Sequence, residues 1–167
     1  VFEIRIDGDS FKKGDAFSPD DKVKIGYYVI EGLYESEKGE TLTSDNNSEL
    51  AYILSTKDEF DPKIKEFARK YAGKMIEFDG HTAAVSRNGG YDTRFNYLIR
   101  AGDYSDTFVS GPNFQFYDVT YGGLNLVGNN VPDPFGVGLN IRVIARVGEY
   151  NEIQGLFQLE PVAITMR

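Results

Sequence analysis

The sequence predicts a mainly β protein with a small helical part, in which a five-stranded barrel is capped by a short helix pair. Three observations support this prediction. Five runs with apolar residues at alternate positions follow one another within residues 74–167, the pattern of half-buried strands. Two shorter segments with helical spacing occupy residues 42–73. Another pair of alternating runs lies in residues 1–41 and predicts an N-terminal β-hairpin followed by a linker.

Length and composition bound what the chain can do. Its 167 residues hold one ordinary domain, or a small domain with an appendage. Its 18 basic and 26 acidic residues give a net charge of −8. This charge disfavours nucleic acid as a partner, because that binding depends on Lys and Arg neutralising phosphates. The sequence has no Cys, so disulfides, thiolate metal sites and Cys nucleophiles are excluded.

The N-terminal hairpin is predicted from "VFEIRID" and "KVKIGYYV", which are separated by a stretch rich in Gly, Asp, Ser and Pro. Two strands alone are marginal in water, so the hairpin must pack on another part of the protein. The polar stretch "EGLYESEKGETLTSDNN" is the predicted linker. No apolar run is long enough to span a bilayer. Because the sequence starts at Val1, we expect a truncated or processed chain whose export signal, if any, is already gone.

Both helices carry start signals. Asn46 or Asn47 is the predicted N-cap of the first helix, because its side chain can accept a hydrogen bond from an unpaired backbone N–H. The second helix has Asp61 as its N-cap and Pro62 at its first position, and Gly73 ends it. The apolar stripes of the two helices are Leu50, Ile53 and Leu54, and Ile64, Phe67, Ala68 and Tyr71.

The five barrel strands are predicted, in order, at "KMIEFDGHTAAV", "DTRFNYLIRAG", "NFQFYDV", "NIRVIARVGEY" and "LFQLEPVAI". Gly80 interrupts the first strand, as a glycine does where a strand coils sharply or bulges. In the third strand, Phe114, Phe116 and Asp118 alternate along one face. Residues 121–138 form a long Gly-, Asn- and Pro-rich connection with one short apolar patch.

The fourth and fifth strands are predicted to pair through a turn at residues 151–154. Val143 and Ala145 then share a core face with Phe157 and Leu159. The turn has only modest β-hairpin chemistry, so we expect a loop of several residues and not a two-residue turn.

The five strands, the glycine in the first and the run "GLNIRVIARV" in the fourth resemble an OB-fold, a small Greek-key barrel. This resemblance implies that strands two and three present the ligand-binding face. An OB-fold usually carries a helix between strands three and four, where this sequence has the loop 121–138. We therefore expect the helix that begins after Asp61 to close the open end of the barrel.

A longer resemblance covers residues 41–167. The runs "IEFDGHTAAV", "YDTRFNYLIRAGDYS", "GPNFQF", "VPDPFGVG" and "VGEYNEIQGLFQLEPV" are similar to an uncharacterised bacterial family catalogued as domain of unknown function 4839. That family occurs mostly in Gram-positive bacteria and has no assigned activity. The resemblance implies a fold and no chemistry.

The N-terminal run "IDGDSFKKGDAFSPDDKVKIGYY" resembles the closing hairpin of a PASTA-like module. The strand and helix that form the first half of such a module are not in this sequence. PASTA modules lie outside the membrane and are associated with cell-wall fragments. The resemblance therefore implies an extracellular or cell-envelope location.

Residues for catalysis are few. His81 is the only histidine, and the sequence has no G-x-S-x-G motif, so no catalytic residue is assigned. The stretch "DGDS" at Asp7 begins like a calcium loop but lacks its closing Glu, and one His makes no persuasive zinc site. No metal or cofactor is assigned. Carboxylates scattered through the barrel could still assemble a metal site or a paired-acid hydrolase in three dimensions.

Aromatic residues concentrate on the second and third strands. Phe95, Phe114 and Phe116 alternate inward and are expected to fill the barrel. Rings on the outer side could stack on a ligand. The candidate ligand-binding residues are Tyr91, Arg94, Tyr97, Arg100 and Tyr117. Of these, Tyr91 and Tyr117 are flanked by Gly or Asp and are expected to be exposed.

Three functional hypotheses follow. The first is a non-catalytic binding or adaptor module of the bacterial cell envelope, with a protein, a peptide or a cell-wall glycan as its partner. The second is an OB-fold that binds single-stranded nucleic acid or an oligosaccharide. The third is a metal-dependent hydrolase.

Overall fold

The computed structural model describes residues 2–6, 9–10, 23–27, 40–107, 111–128 and 131–167. The chain forms two compact units, Val1–Lys38 and Gly39–Arg167. The first unit contains an antiparallel sheet in the order β2-β1-β3, with β1 at Phe2–Ile6, β2 at Asp9–Ser10 and β3 at Val23–Tyr27. Residues 11–22, where the hairpin connection is predicted, lie outside the described residues.

The end of the predicted linker is attached to the barrel unit. The Leu42 N–H donates to Met75 O at 2.9 Å, and Leu42 O accepts from Glu77 N at 2.8 Å. These two hydrogen bonds form a parallel bridge between Leu42 and Ile76. The chain is therefore held on the first barrel strand before the helices begin.

The two predicted helices are present as α1 (Ser48–Ser55) and α2 (Pro62–Lys70). Asn47 caps α1, because its Oδ1 accepts from Leu50 N at 2.8 Å. Asp61 caps α2, because its Oδ1 accepts from Lys63 N at 2.9 Å. Both predicted caps are confirmed, and the choice between Asn46 and Asn47 falls on Asn47.

The apolar face of α2 packs against the barrel, as predicted. The Phe67 ring meets the Phe157 ring edge-on, with 6.2 Å between centroids. Gly73 ends the segment with a φ of 77° and donates its N–H to Val147 O at 2.8 Å. The buried residues of both helices are Leu50, Ile53, Ile64, Phe67 and Ala68.

The barrel strands are β4 (Met75–Arg87), β5 (Arg94–Ala101), β6 (Asn113–Thr120), β7 (Leu126–Val127), β8 (Asn140–Asn151) and β9 (Leu156–Met166). Their order in the sheet is β6-β5-β4-β8-β9-β7. Residues 113–115 of β6 pair in parallel with residues 156–158 of β9, which closes the sheet. The other pairs among the five long strands are antiparallel. The predicted five-stranded barrel is therefore confirmed, as a closed barrel of mixed pairing.

Strands β8 and β9 form the predicted hairpin. Val147 pairs with Leu159 and Tyr150 pairs with Phe157, and a turn of several residues joins the strands. The predicted core residues are all buried: Val143, Ala145, Phe157 and Leu159. Gln158 lies between the last two and is not buried, so alternation identified the inward face correctly.

Gly80 does not mark the bulge of β4. The register shift lies between Thr82 and Ala84, so Ala83 is the extra residue. Gly80 instead permits a close backbone approach, because a Cβ there would lie 2.5 Å from Arg100 O on β5.

The connection at 121–138 is more structured than a plain loop. Its described part contains a 3-10 turn at Gly122–Leu124 and the short strand β7, which pairs in parallel with the end of β9. Leu124 and Phe135 are buried in the barrel core. The Phe135 ring meets Tyr97 edge-on at 5.6 Å between centroids. Sequence patterning underestimated this segment because its apolar residues are spaced without a regular period.

One apolar core joins the helices to the barrel within Gly39–Arg167. Its largest fully buried side chains are Phe67, Phe114, Phe116 and Phe157. Among the described residues, no helix is long and apolar enough to cross a membrane.

Candidate functional site

The candidate site lies on the outer side of β5 and β6. Tyr97 and Ile99 of β5 and Phe114 and Phe116 of β6 are buried, so their strand neighbours point outward. We give the name outer β5–β6 face to the part of this outward surface that starts at Arg94: Arg94, Asn96, Leu98, Gln115, Tyr117 and Asp118. Arg100 and Asn113 point outward by the same alternation, at the opposite end of the two strands.

A β-bulge shapes this face. Phe95 pairs with Val119 and Tyr97 pairs with Phe116, so Asn96 alone lies opposite both Tyr117 and Asp118. The expected alternation of Asp118 with Phe116 is therefore wrong, because the extra residue brings Asp118 to the outer side, where Arg94 reaches it.

Asp118 adopts a backbone conformation that L-residues rarely use. Its φ is 56°, and its N–H donates to Asn96 Oδ1 at 2.9 Å. A non-glycine residue in the left-handed region costs conformational energy and persists where surrounding contacts hold it. Here the contacts are the amide of Asn96 and the guanidinium of Arg94.

Arg94 and Asp118 form a two-pronged ion pair. Arg94 Nη2 lies 2.6 Å from Asp118 Oδ2 and 3.0 Å from Asp118 O, and Nε binds Oδ1. These hydrogen bonds, with a further one from Asn88, hold the pKa of the Asp118 carboxyl below its usual range. The same carboxylate raises the pKa of the Arg94 guanidinium. Both groups therefore stay charged at neutral pH.

Exposed tyrosine rings border this pair. Tyr117 is 54% exposed, and Tyr91, in the loop between β4 and β5, is 63% exposed. Tyr91 lies in the loop that leads into β5, where Asn88 N donates to Arg94 O at 2.8 Å and Tyr91 N donates to Asn88 O at 3.3 Å. Tyr121 directly follows β6, and its hydroxyl donates a hydrogen bond to Pro132 O at 2.7 Å. The predicted exposure of Tyr91 and Tyr117 is confirmed.

The other predicted site residues lie elsewhere. Tyr97 is 2% exposed and packs on Phe135, so its ring offers no surface to an outside ligand. Arg100 lies near the far end of β5, where its Nη2 approaches Asn113 Oδ1 at 3.5 Å. The structure thus places Arg94 and Tyr117 on the outer β5–β6 face and Tyr91 in the adjoining loop, buries Tyr97, and puts Arg100 at the other end of β5.

Arg100 lines a cleft of about 290 Å³. We call it the His81–Arg100 cleft, after the two residues that face each other across β4 and β5. Its other walls come from the end of α1, the bulge of β4 and the connection between β5 and β6. Its lining residues include Leu54, Ala83, Tyr104, Ser105, Asp106 and Pro112.

His81 is fixed within this cleft. Its Nδ1 lies 2.8 Å from Gly102 O, and a carbonyl can only accept, so Nδ1 carries the proton. In the neutral ring, Nε2 is then an acceptor. The edge of the imidazole meets the Tyr104 ring, with 5.7 Å between centroids. Tyr104 is held in turn through its N–H, which donates to Asn140 Oδ1 at 2.7 Å.

An ion-pair network lies beside the cleft. Asp79 accepts two hydrogen bonds from Arg142, at 2.8 and 3.1 Å, and lies 3.4 Å from Arg167 Nε. Arg167 Nη1 binds Asp103 Oδ1 at 2.6 Å. The hydrogen bonds from Arg142, with the charge of Arg167, lower the pKa of Asp79. These contacts join β4, β8 and the end of the chain.

Sequence reasoning did not assign Asn96, Asp118 or Tyr104 to a site. Asp118 and Asn96 come together through the bulge, which sequence alternation cannot locate. In the part of the chain that the structure describes, no group of three or more His, Asp or Glu side chains is placed to hold a metal ion.

Comparison with known proteins gives one match. The family model described as Domain of unknown function (DUF4839) matches residues 45–167. No curated protein and no solved structure matches the chain.

Proposed function

We propose that this chain, which belongs to the family described as Domain of unknown function (DUF4839), is a non-catalytic binding module of the bacterial cell envelope. Its proposed ligand is a cell-wall glycan. The outer β5–β6 face is the proposed binding surface. The observation that carries the proposal is the bulge at Asp118, which orders a charged pair beside two exposed tyrosines. Strained residues of this kind concentrate at ligand-binding sites.

The side chains of the face suit a sugar. Tyr91 and Tyr117 present wide apolar rings with a polar tip, which can cover the apolar side of a pyranose. Asn96 and Gln115 carry both donors and acceptors, and the Arg94–Asp118 pair adds a charged donor and acceptor at fixed positions. Sugar hydroxyls need such mixed partners, because each is donor and acceptor at once.

The strand arrangement supports the same surface. We propose that the barrel is an OB-fold in which β4, β5 and β6 are strands one to three and β8 and β9 are strands four and five. The order β6-β5-β4-β8-β9 with a parallel closing pair supports this proposal. OB-folds bind oligosaccharides and oligonucleotides on strands two and three.

The envelope location rests on the N-terminal sequence. The run at residues 6–28 resembles the closing hairpin of a PASTA-like module, and such modules lie outside the membrane. The proposal therefore places the barrel where a cell-wall glycan is within reach.

Charge favours a glycan over a nucleic acid as the ligand. Arg94 is paired with Asp118, and Arg87 Nη1 lies 2.7 Å from Asp92 Oδ1. Both arginines near the exposed tyrosines are thus neutralised, and the net charge is −8. A neutral polyhydroxyl ligand avoids the repulsion that a phosphate backbone would meet.

Binding to purified Gram-positive cell walls and to a soluble β-1,4-linked N-acetylglucosamine tetramer tests the proposal. We expect Tyr117→Ala to weaken tetramer binding about tenfold, as removal of a central aromatic contact does. Ile153→Ala, which removes an exposed apolar residue from the turn between β8 and β9, is the matched control and should bind normally.

Asp118→Gly separates the backbone conformation from the carboxylate. Glycine accepts a φ of 56° without strain, so the variant should fold and bind the tetramer more weakly. Equal binding by wild type, Tyr117→Ala and Asp118→Gly would refute the glycan surface. Micromolar binding of single-stranded DNA with a steep dependence on salt would favour the nucleic-acid alternative instead.

A further inference from the structure

Two segments of the chain meet at one end of the barrel unit. They are the loop 57–61 between α1 and α2, and residues 149–155, through which β8 turns into β9. The Tyr150 hydroxyl donates to Glu59 O at 2.6 Å and holds the two segments together. We call their shared surface the Phe60–Ile153 patch, after its two exposed apolar residues.

The patch lies away from the proposed glycan surface. Asn113, at the start of β6, donates through Nδ2 to Glu59 Oε2 at 3.3 Å. The pair of Arg94 and Asp118 lies near the other end of β6. The two surfaces therefore occupy opposite ends of the same strand and share no residue.

Ile153 is an apolar residue presented by an ordered turn. Its side chain is 88% exposed, although Asn151 Oδ1 accepts hydrogen bonds from Ile153 N and Gln154 N, both at 3.1 Å. Asn151 Nδ2 also donates to Gln154 Oε1 at 2.9 Å. The turn thus fixes an aliphatic side chain that buries little surface within this chain. A turn that is already ordered loses less conformational entropy when a partner covers it.

Phe60 is the second exposed apolar residue. Its ring lies against Gly155, because a Cβ at that glycine would lie 3.1 Å from Phe60 Cε1 and 3.2 Å from Cζ. The ring is nevertheless 52% exposed. Phe60 N donates to Asp58 Oδ1 at 2.9 Å, which orders the loop. Two ordered apolar side chains on adjoining segments are the kind of surface that a protein partner covers.

The charge around these two residues indicates the chemistry of the partner. The two segments carry five carboxylates: Asp58, Glu59, Asp61, Glu149 and Glu152. Lys57 in the loop and Lys65, whose Nζ lies 2.7 Å from Glu152 Oε2, offset part of this charge and leave the patch negative. A negative patch on a chain of net charge −8 repels a second copy of the chain and an anionic membrane. A basic protein segment complements it.

We propose that the Phe60–Ile153 patch binds a partner protein through a basic segment that also carries apolar side chains. The apolar side chains of the partner cover Phe60 and Ile153, and its basic side chains meet the surrounding carboxylates. This interaction goes beyond the proposed glycan surface and does not depend on it.

The test uses the full chain and three hexapeptides, each acetylated and amidated at its ends. The basic apolar probe is Lys-Leu-Lys-Phe-Lys-Leu. Lys-Ser-Lys-Ser-Lys-Ser keeps only its charge, and Glu-Leu-Glu-Phe-Glu-Leu keeps only its apolar side chains. In a titration followed by backbone amide NMR, the basic apolar probe should move the signals of Phe60, Ile153 and Gln154. Each of the other two should bind about tenfold more weakly, because each lacks one of the two contributions.

Exposed residues provide matched variants. Ile153→Ser should weaken binding of the basic apolar probe about tenfold, whereas Val127→Ser, at an exposed position on β7, should not change it. Glu149→Lys should weaken binding and reduce its dependence on salt. Asp45→Lys changes the net charge equally at an exposed position before α1, and at physiological salt it should bind the probe like the wild type. Ile153 contributes little buried surface, so its variant should fold.

Three results would overturn the inference: equal binding of the three probes, equal binding of the basic apolar probe by wild type and Ile153→Ser, or shifts confined to residues outside the patch. Ile153→Ser should still bind the N-acetylglucosamine tetramer. A wild-type chain that binds the tetramer and not the basic apolar probe would refute this inference alone. Loss of tetramer binding in Ile153→Ser would show that the two surfaces are not independent and would also refute it.

Discussion

Arg94 and Asp118 are joined across β5 and β6 by hydrogen bonds from one guanidinium to one carboxylate, with Nη2 and Oδ2 2.6 Å apart. The pair spans the bulge and lies where β5 begins and β6 nears its end. It therefore connects a backbone irregularity with the proposed binding chemistry, and we expect its carboxylate to make the fold sensitive to acid.

Acid should destabilise the protein through Asp118 and Asp79. Both pKa values are lowered in the folded chain, mainly by hydrogen bonds from Arg94 and from Arg142 respectively. A lowered folded pKa stabilises the protein above the ordinary Asp pKa, and this contribution is lost as the pH falls through the folded pKa. We expect the melting temperature to fall between about pH 5 and pH 2.

Asp118→Asn and Asp79→Asn should each flatten that dependence, because neither amide takes up the proton. Melting curves recorded by circular dichroism across this pH range provide the measurement. Asp45→Asn, at an exposed position, is the control and should follow the wild-type curve. Identical pH profiles for all four proteins would contradict the assignment.

Asp61→Ala should lower the free energy of unfolding by about 1 kcal/mol, because the N-cap of α2 is lost. Its Oδ1 accepts from Lys63 N, and Oδ2 accepts from the Tyr52 hydroxyl at 2.7 Å. Asp61→Asn keeps a capping oxygen and should cost less. Urea unfolding of the three proteins measures the difference, and equal midpoints would mean that the cap does not stabilise α2.

Phe157→Ala should cost about 3 kcal/mol or more, through the cavity that it leaves. The ring is fully buried and contacts Phe114 and Phe67, with centroids 5.6 and 6.2 Å away. Tyr117→Ala, on the outer face, should change the free energy of unfolding little. Chemical denaturation distinguishes the two, and similar losses for both variants would contradict the assignment of inward and outward faces.

Gly80→Ala should destabilise the barrel by about 1–3 kcal/mol, because the new methyl would collide with backbone and not with a movable side chain. The Cβ would lie 2.5 Å from Arg100 O. Gly90→Ala is the matched control, since nothing lies within 4 Å of a Cβ there. Thermal melting of the two variants provides the comparison. Equal melting temperatures would show that β4 and β5 can move apart enough to admit the methyl group without loss of stability.

Local patterns predicted the regular parts of the fold well. Period-two alternation identified the shared core face of Val143, Ala145, Phe157 and Leu159. Polar residues before helical stripes located both N-caps. These features depend on residues that are close in sequence, which is why one chain was sufficient to predict them.

Features that depend on distant pairing were not predicted. The bulges at Ala83 and Asp118 add one residue to a strand, and alternation read from one strand cannot show what lies opposite. Tyr97 is among the candidate ligand-binding residues because aromatic residues concentrate on its strand, yet its ring points into the core. The His81–Arg100 cleft likewise arises from the β4–β5 register and the position of α1.

The parallel pair of β6 and β9 also governs when the barrel can form during synthesis. Residues 113–115 must wait for residues 156–158 to leave the ribosome before their hydrogen bonds can be made. Until then, a nascent chain displays the open edges of β6 and β8, which are able to pair with neighbouring polypeptides. Pairing two strands so far apart in the sequence also slows folding, because the intervening chain loses conformational entropy before the hydrogen bonds between β6 and β9 form. The interval between the emergence of β8 and that of β9 is therefore when this chain is most exposed to aggregation and has most use for a chaperone.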